Sequence, residues 1–238
     1  MLLPTALGDF FVAAEKFHAD VVHTVKAFVF CDADGKTFNR ADLRLQSDLS
    51  DDASQTPRLE TSNLRKRMAD YVAEKYFWLP WGKFYRRKFL LENKLDFPQM
   101  RYSEDMVFCF KCLCLAKKYL RVPFATNIHR VRQKSASKNF CTPHEGTELC
   151  LRVLTAAVQA IDEFTGGLEF FRKNPDIRRD VLKFFVDKHF SFHRNIFQDM
   201  PIHEVQRIFF DVLNSPALNS TGEQIVAAHL YAERILAR

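Results

Sequence analysis

The sequence contains no apolar run long enough to span a bilayer, which argues against an integral membrane protein. Its first residues, Met1-Leu2-Leu3-Pro4, lack the basic region and the long apolar stretch of a signal peptide. Motifs of nucleic-acid-binding proteins are also missing, although basic residues are in excess. These absences predict a cytoplasmic protein that does not bind nucleic acid.

Cysteine is present but provides no framework for disulfide bonds. The six cysteines are irregularly spaced, and Cys109, Cys112 and Cys114 fall within one predicted helix. In a reducing compartment they are expected to be free thiols. The apolar neighbours Phe108 and Phe110 favour a packed helix over a zinc site, because structural zinc sites usually pair two separated ligand clusters.

The composition is that of a folded protein with a sizeable core. Of 238 residues, 47% are hydrophobic and 27% are charged. Lysine and arginine number 35 against 29 aspartate and glutamate, a net charge of +6. The basic residues form short clusters, which most often line solvated helix faces but also favour a phosphorylated ligand or peripheral contact with an anionic membrane. The clusters are Arg65-Lys66-Arg67, Arg86-Arg87-Lys88, Lys117-Lys118 and Arg178-Arg179.

The order of apolar patterns predicts an α/β protein followed by a helical region. Leu7, Phe10 and Phe11 begin a series of apolar residues at helical spacing, which predicts an amphipathic helix over 5–18. The Val- and Phe-rich segment 21–30 predicts one strand. The remaining predictions are a surface loop over 39–61, short strands over 120–123 and 126–131, and helices over 64–72, 87–93, 104–118, 143–167, 176–197, 202–213 and 221–237.

Two adjacent carboxylates, Glu104 and Asp105, stand at the predicted start of an apolar helix. An Asp at that position faces unpaired backbone N–H groups and the positive end of the helix dipole, so it is expected to stay ionised at neutral pH. An ionised carboxylate held in place can act as a general base. The other interpretation is structural: Ser103 caps the helix and the two carboxylates complement its dipole.

Four motifs occur in a fixed order around this pair. They are W-G-K-F-Y-R-R-K-F-L from Trp81, F-P from Phe97, S-E-D-M-V-F from Ser103 and H-R-V-R-Q-K-S-A-S from His129. Together they resemble the second half of family 2 glycosyltransferases, in which similar motifs follow one another in the same order. The resemblance covers about residues 1–140, whereas residues 141–238 carry no motif that we recognise. Gly82 departs from the Asn that is common at this place in the family.

The resemblance implies a partial GT-A fold, a Rossmann-like mixed sheet with flanking helices over 1–140, followed by an all-helical extension over 141–238. It also implies inverting transfer of a sugar from a nucleotide-sugar to a glycan, lipid-linked or cell-envelope acceptor. In that reaction Asp105 is the implied catalytic base, and Glu104 lies beside it in the acceptor site. The residues implied in substrate binding are Trp81 and Tyr85, which would stack on a sugar, and Lys83, Arg130 and Arg132, which would approach the diphosphate.

Family members begin with a nucleotide-binding half that ends in an Asp-x-Asp motif, which holds a divalent metal, Mg²⁺ or Mn²⁺. The present sequence starts with a segment like the one that follows this motif, so we expect about 80–100 further residues upstream. Asp32-Ala33-Asp34 has the same letters but is followed by Gly35, which predicts a hairpin turn. A lone His129 is more often structural than a metal ligand. The chain alone is therefore expected to bind nucleotide-sugar and metal weakly or not at all, and to be inactive.

Two other functions stay open on the sequence alone. One is a non-catalytic module that keeps the acceptor groove and binds a glycan, and the other is a helical scaffold whose Glu-Asp pair is only a cap. Donor-nucleotide binding separates the enzyme from both, and glycan binding separates these two from each other. Without the strands of a donor half, an uncovered sheet edge also predicts self-association into a homo-oligomer.

Overall fold

The structure is a computed structural model, and the chain divides in it into two compact units. The first is Met1–Pro98 with Glu104–Ser135, and the second is Gln99–Ser103 with Ala136–Arg238. Arg132, the predicted Asp32-Ala33-Asp34 turn and the predicted helix at 221–237 lie outside the described residues, and the predicted helix at 202–213 is described only at scattered positions. Within the described part no helix has the length and apolar character needed to cross a membrane. The described residues are 2–24, 28–31, 56–76, 78–100, 103–126, 128–131, 143–193, 200–201, 203–204, 206–207 and 210.

The first unit begins with helix α1, Ala6–Phe17. Its buried stripe includes Phe10 and Ala13, which are 2% and 7% exposed. The sequence pattern placed Leu7 and Phe11 on the same stripe, but their side chains are 58% and 57% exposed. The prediction of the helix is therefore confirmed, but that of its buried face is partly wrong. Phe10, Ala13 and Ala14 belong to the buried cluster with the sheet, so contact with the sheet determines which side of the helix is buried.

Six strands are described: β1 Val21–Thr24, β2 Phe28–Cys31, β3 Arg58–Leu59, β4 Lys83–Tyr85, β5 Tyr119–Val122 and β6 Ile128–Val131. Four of them form a mixed sheet in the order β3-β5-β1-β4. Strand β1 is parallel to β5 and antiparallel to β4, while β3 is antiparallel to β5. Strands β2 and β6 form a separate parallel pair. The segment 21–30 was predicted as one strand but contributes β1 and β2 to two different sheets. The prediction was wrong here because a continuous apolar run gives no sign of where one strand ends and the next begins.

One face of the four-stranded sheet packs on α1. Val22, Leu120 and Val122 form a buried cluster there with Phe10 of the helix. The rings of Phe10 and Phe84 stack with their centroids 5.9 Å apart. Because side chains alternate along a strand, the intervening residues of β1, β4 and β5 lie on the opposite face of the sheet.

Helix α4 contacts this opposite face, and α2 packs on α4. The ring of Tyr85 on β4 meets Phe108 edge-on, with centroids 5.2 Å apart. The rings of Tyr71 in α2 and Phe110 in α4 are also 5.2 Å apart. The helices of this unit after α1 are α2 Leu64–Val72, α3 Arg87–Glu92 and α4 Glu104–Leu115.

Arg67 joins α2 to the end of α4 and is only 2% exposed. Its guanidinium donates two hydrogen bonds to the Thr61 carbonyl, at 2.9 and 2.7 Å. It donates two more to the carbonyls of Leu113 and Ala116, at 2.8 and 2.7 Å. Carbonyls at a helix C-terminus have no partner within the helix, so Arg67 supplies donors where α4 needs them.

A buried polar network crosses the sheet next to these helices. His23 on β1 pairs in register with Arg121 on β5. The Glu60 carboxylate accepts a hydrogen bond from Arg121 Nε and lies 3.2 Å from His23 Nε2. Arg121 also donates to the Lys75 carbonyl at 2.9 Å. Glu60 therefore joins a histidine and an arginine that come from neighbouring strands.

The network fixes the charge states of its members. Burial lowers the pKa of His23 to about 4, although its hydrogen bond with Glu60 opposes the shift. Burial alone would raise the pKa of Glu60, but the contacts with His23 and Arg121 lower it to about 2. At neutral pH Glu60 is thus ionised and His23 is neutral, so the proton of His23 lies on Nε2 and is donated to Glu60. The buried Nδ1 atom of His23 has no hydrogen-bond partner among the described residues.

The second unit contains three described helices: α5 Pro143–Gly167, α6 Glu169–Lys173 and α7 Pro175–His193. All three pack on one another around buried apolar side chains, among them Ile161, Phe171 and Phe185, each 0% exposed. Arg178 on α7 forms a 2.6 Å ion pair with Asp162 on α5. The predicted helical region is therefore confirmed over 143–193, where long runs at helical spacing gave the signal.

We expect Arg67→Met to destabilise the first unit strongly. The substitution leaves the buried carbonyls of Leu113 and Ala116 and the partly buried carbonyl of Thr61 without these donors, and each unpaired buried group costs about 1–3 kcal/mol. The free energy of unfolding, measured by urea denaturation, should fall by about 3 kcal/mol or more. Lys66→Met is the matched control, because Lys66 is exposed on the same helix, and it should change stability by less than about 0.5 kcal/mol. Equal losses in the two variants would contradict the role of Arg67.

We also expect the protein to lose stability in mild acid. The pKa of His23 is about 4 in the folded chain against an ordinary 6.5, so the unfolded chain binds more protons between these pH values. Stability therefore decreases as the pH falls through this window, by up to about 3 kcal/mol. Urea denaturation at several pH values measures the slope. His23→Gln keeps a donor for Glu60 without titrating and should flatten the slope, whereas the exposed control His18→Gln should leave it unchanged. A slope that persists in His23→Gln would assign the acid sensitivity to another group.

Candidate functional site

Glu104 and Asp105 open helix α4, and both residues are half-buried. Asp105 Oδ1 accepts a 2.7 Å hydrogen bond from the backbone N–H of Met106. Burial raises the pKa of Asp105, the hydrogen bond from Met106 opposes this shift, and the charge of Glu104 reinforces it. A carboxylate kept ionised by the helix terminus was expected from the sequence. Here the effect of burial exceeds that of the terminus, which places the pKa of Asp105 above its ordinary value.

Strand β4 brings two further predicted residues to α4. The Tyr85 hydroxyl lies 3.6 Å from Sγ of Cys109, which follows Asp105 by one helical turn on the same face of α4. Lys83 precedes Tyr85 by two residues, so both side chains leave the same face of the sheet. Burial raises the pKa of Asp105, and the positive charge of Lys83 opposes that shift. We call Lys83, Tyr85, Glu104 and Asp105 the β4–α4 site.

Within this site Lys83 and Tyr85 make internal contacts. Lys83 Nζ donates to the Leu79 carbonyl, and burial lowers the pKa of its ammonium group. The Tyr85 ring packs edge-on to Phe108, and burial raises the pKa of its hydroxyl. These contacts hold both side chains against α4. The binding of a diphosphate by Lys83 and the stacking of Tyr85 on a sugar stay predictions.

Trp81 and Gly82 form the turn that leads into β4. Gly82 has a φ of 79°, in the left-handed region that Gly adopts freely and Asn tolerates. Its carbonyl accepts a 3.0 Å hydrogen bond from the backbone N–H of Thr24. Gly82 therefore suits the backbone conformation of the turn. Trp81 is half-buried beside it, and its stacking on a sugar also stays a prediction.

The side chains of the two predicted arginines are outside what the structure describes. Arg130 lies on β6, in the two-stranded sheet, where only the backbone is described. Arg132 lies outside the described residues. The structure thus brings together Lys83, Tyr85, Glu104 and Asp105, with Trp81 at the entry to β4.

Sequence reasoning missed the polar network beside the site. His23 pairs in register with Lys83 on β4 as well as with Arg121 on β5, so three basic residues form one row across the sheet. Glu60 hydrogen-bonds to two of them. A histidine within the apolar segment Val21-Val22-His23 was the available signal. Glu60 gave no signal, because it stood in a polar segment predicted as a surface loop.

The described residues contain no group of three or more His, Cys, Asp and Glu that could hold a metal ion. Cys109, Cys112 and Cys114 of α4 are free thiols, and the first two are buried. Burial raises the pKa of both buried thiols, so they are neutral at physiological pH. The prediction of a packed helix is confirmed for this segment.

Comparison with solved structures finds TarS of S. aureus, a glycosyltransferase. The structure of TarS 1-349 in complex with UDP-GlcNAc covers 98% of this chain and 56% of its own, with a TM-score of 0.56 and 19% identity. The complex of TarS 1-349 with UDP covers 98% of this chain and 55% of its own, with a TM-score of 0.53 and 18% identity. No protein-family model and no curated protein matches the chain.

The likeness at this level of identity shows the fold. The mixed sheet with flanking helices is a partial GT-A-like fold, as the sequence motifs implied. The chain spans about half the length of the TarS 1-349 structures that it matches.

Proposed function

We propose that this chain is the acceptor-side part of a GT-A, family 2-like glycosyltransferase. The observation that carries the proposal is the β4–α4 site, in which a half-buried Asp105 opens a helix that packs on a strand bearing Lys83. The fold supports it, because 98% of the chain aligns with a glycosyltransferase structure that contains UDP-GlcNAc. The four ordered motifs agree with the same function.

In the proposed reaction an acceptor hydroxyl attacks the anomeric carbon of the donor sugar. A new C–O bond forms there, and the bond between this carbon and the diphosphate breaks, with inversion at the carbon. The electron pair of the broken bond leaves with the nucleoside diphosphate. Asp105 takes the hydroxyl proton, and Glu104 lies beside it to bind the acceptor.

The environment of Asp105 suits a base of this kind. Burial raises the pKa of its carboxyl, which makes the carboxylate a stronger proton acceptor. The charge of Lys83 opposes the shift and helps to keep the carboxylate ionised. A base needs both properties, because only the ionised form accepts the proton. Activity should therefore decline as the pH falls through the pKa of Asp105.

The intact enzyme would need a nucleotide-sugar donor and a divalent metal. UDP-GlcNAc is the first donor to test, since the aligned TarS structure contains it. Mg²⁺ or Mn²⁺ is the proposed cofactor, and it would neutralise the leaving diphosphate. The described residues do not fit such a metal, because they offer no cluster of three possible ligands. We propose that this chain binds no metal.

The acceptor and the location complete the proposal. A glycan, lipid-linked or cell-envelope acceptor would place the enzyme in the cytoplasm, in peripheral contact with the inner face of the membrane. Strand β4 lies at one end of the four-stranded sheet, and the uncovered edge of such a strand can pair with another chain. We propose that the protein forms a homo-oligomer through the edge of β4.

We expect Asp105→Asn to reduce turnover by about 100-fold or more in the intact enzyme, because the amide cannot accept the proton. Release of UDP from UDP-GlcNAc in the presence of acceptor, with both substrates saturating, is the measurement. The amide can still accept the hydrogen bond from Met106, so thermal unfolding should change little. Glu104→Gln is the adjacent control and should have a milder effect. Full activity in Asp105→Asn would show that another group is the base.

A further inference from the structure

A polar cavity lies in the first unit, near the opposite end of α4 from Asp105. Its volume is about 360 Å³. Asp105 and Leu115 are ten residues apart on α4, which corresponds to about 15 Å along the helix axis. The cavity is therefore separate from the β4–α4 site. Its lining residues are Asp20, Arg86, Lys88, Phe89, Glu92, Asn93, Leu115 and Lys117.

Arg86 is held in place at this cavity by the backbone around it. Its Nε donates to the Ala19 carbonyl at 3.1 Å, and its own backbone N–H donates to the Asp20 carbonyl at 2.9 Å. The two terminal nitrogens of its guanidinium have no hydrogen-bond partner in the part of the chain that is described. The protein thus holds the Arg86 guanidinium in place through Nε and leaves its two terminal nitrogens able to donate to a ligand.

The acidic groups of the cavity are already engaged. Asp20 Oδ2 accepts the backbone N–H groups of Lys117 and Lys118, at 2.9 and 3.0 Å. Glu92 pairs with Lys88 at 3.6 Å. Arg86 and the Lys117 ammonium group, in contrast, have no ion pair among the described residues. The lining has three cationic side chains, Arg86, Lys88 and Lys117, against two carboxylates, so the net charge of the cavity is positive.

The end of α4 does not cancel this positive charge. A helix C-terminus normally exposes carbonyl oxygens with partial negative charge. Here the guanidinium of Arg67 binds the carbonyls of Leu113 and Ala116 from inside the protein. An anion near Leu115 and Lys117 consequently meets a helix end at which two carbonyls already have a cationic partner.

We propose that this cavity binds the phosphate group of a phosphorylated ligand. The planar fork of Arg86 can make two parallel hydrogen bonds to phosphate oxygens, and Lys117 adds a second cation. One amide N–H of Asn93 donates to the Phe89 carbonyl at 2.8 Å, which leaves its other N–H for the ligand. A neutral sugar would leave the net positive charge of the cavity unmatched. The site does not depend on the glycosyltransferase proposal, because none of its residues belongs to the β4–α4 site.

Titration of the whole chain with inorganic phosphate at low ionic strength tests this proposal. Two-dimensional ¹H–¹⁵N NMR should show saturable shifts of the Arg86 Nε–H and the Lys117 backbone N–H. The dissociation constant should rise about tenfold in Arg86→Gln and about threefold in Lys117→Gln. Arg87→Gln is the matched control, since Arg87 is the exposed neighbour of Arg86 and does not line the cavity, and it should bind phosphate as the parent does.

Vesicles distinguish the two sources of such a phosphate. Co-sedimentation with phosphatidic acid vesicles, lost in Arg86→Gln and absent with phosphatidylcholine, would identify a lipid headgroup. Saturable binding of free phosphate without vesicle binding would identify a soluble phosphate ester. Lys117→Gln keeps the test valid if Arg86→Gln misfolds, because the Lys117 side chain is exposed. Shifts that do not saturate, or equal weakening by Arg87→Gln and Lys117→Gln, would overturn the proposal.

Discussion

The carboxylate of Glu60 is the contact on which the rest of the first unit depends. Arg121 is 6% exposed and His23 is 0% exposed, so both polar side chains have left water. A buried cation is costly unless a carboxylate pairs with it, and a buried imidazole needs a hydrogen-bond partner. Glu60 meets both needs at once. It therefore allows β1 and β5 to lie side by side at the centre of the sheet.

The position of β1 in turn decides where the functional candidates lie. Strand β4 pairs only with β1 in the described sheet, and its register places Lys83 beside His23 and Tyr85 beside Val21. Tyr85 then contacts Cys109, which orients the first turns of α4 and with them Asp105. A change in the register of β1 by one residue would turn Lys83 away from this face. The environment that shifts the pKa of Asp105 therefore depends on the position of β1 in the sheet.

Long periodic segments were predictable, and so was the pair of carboxylates at a helix start. Helices α5 and α7 bury apolar residues at helical spacing, Val153, Ala157 and Ile161 in α5 and Ile177, Val181 and Phe184 in α7, a signal that does not depend on distant partners. The buried face of α1 could not be read in this way, since Phe10 and Phe11 are equally apolar and only the sheet selects between them. The role of Glu60 could not be predicted for a related reason, because its partners His23 and Arg121 come together only when β1 pairs with β5.

The residues of the β4–α4 site were predictable from the sequence, but their burial and its effect on the pKa of Asp105 were not. The motifs singled out Lys83, Tyr85 and Asp105, and the fold places them together. The sequence, however, contains no measure of burial, so the rise in the pKa of Asp105 could not be deduced from its place at a helix start. The inward hydrogen bond of Lys83 to Leu79 depends in the same way on the closed turn before β4.

The strand order β3-β5-β1-β4 also sets the sequence of events during synthesis. Strand β5 lies between β1 and β3 but leaves the ribosome after β1, β3 and β4. Until Tyr119–Val122 has emerged, β3 has no partner in this sheet and β1 is paired on one side only. Sheets built from distant segments form slowly, and their partly paired strands are open to aggregation. A nascent chain that pauses before Tyr119 therefore exposes an unpaired edge of β1 to chaperones and to other nascent chains.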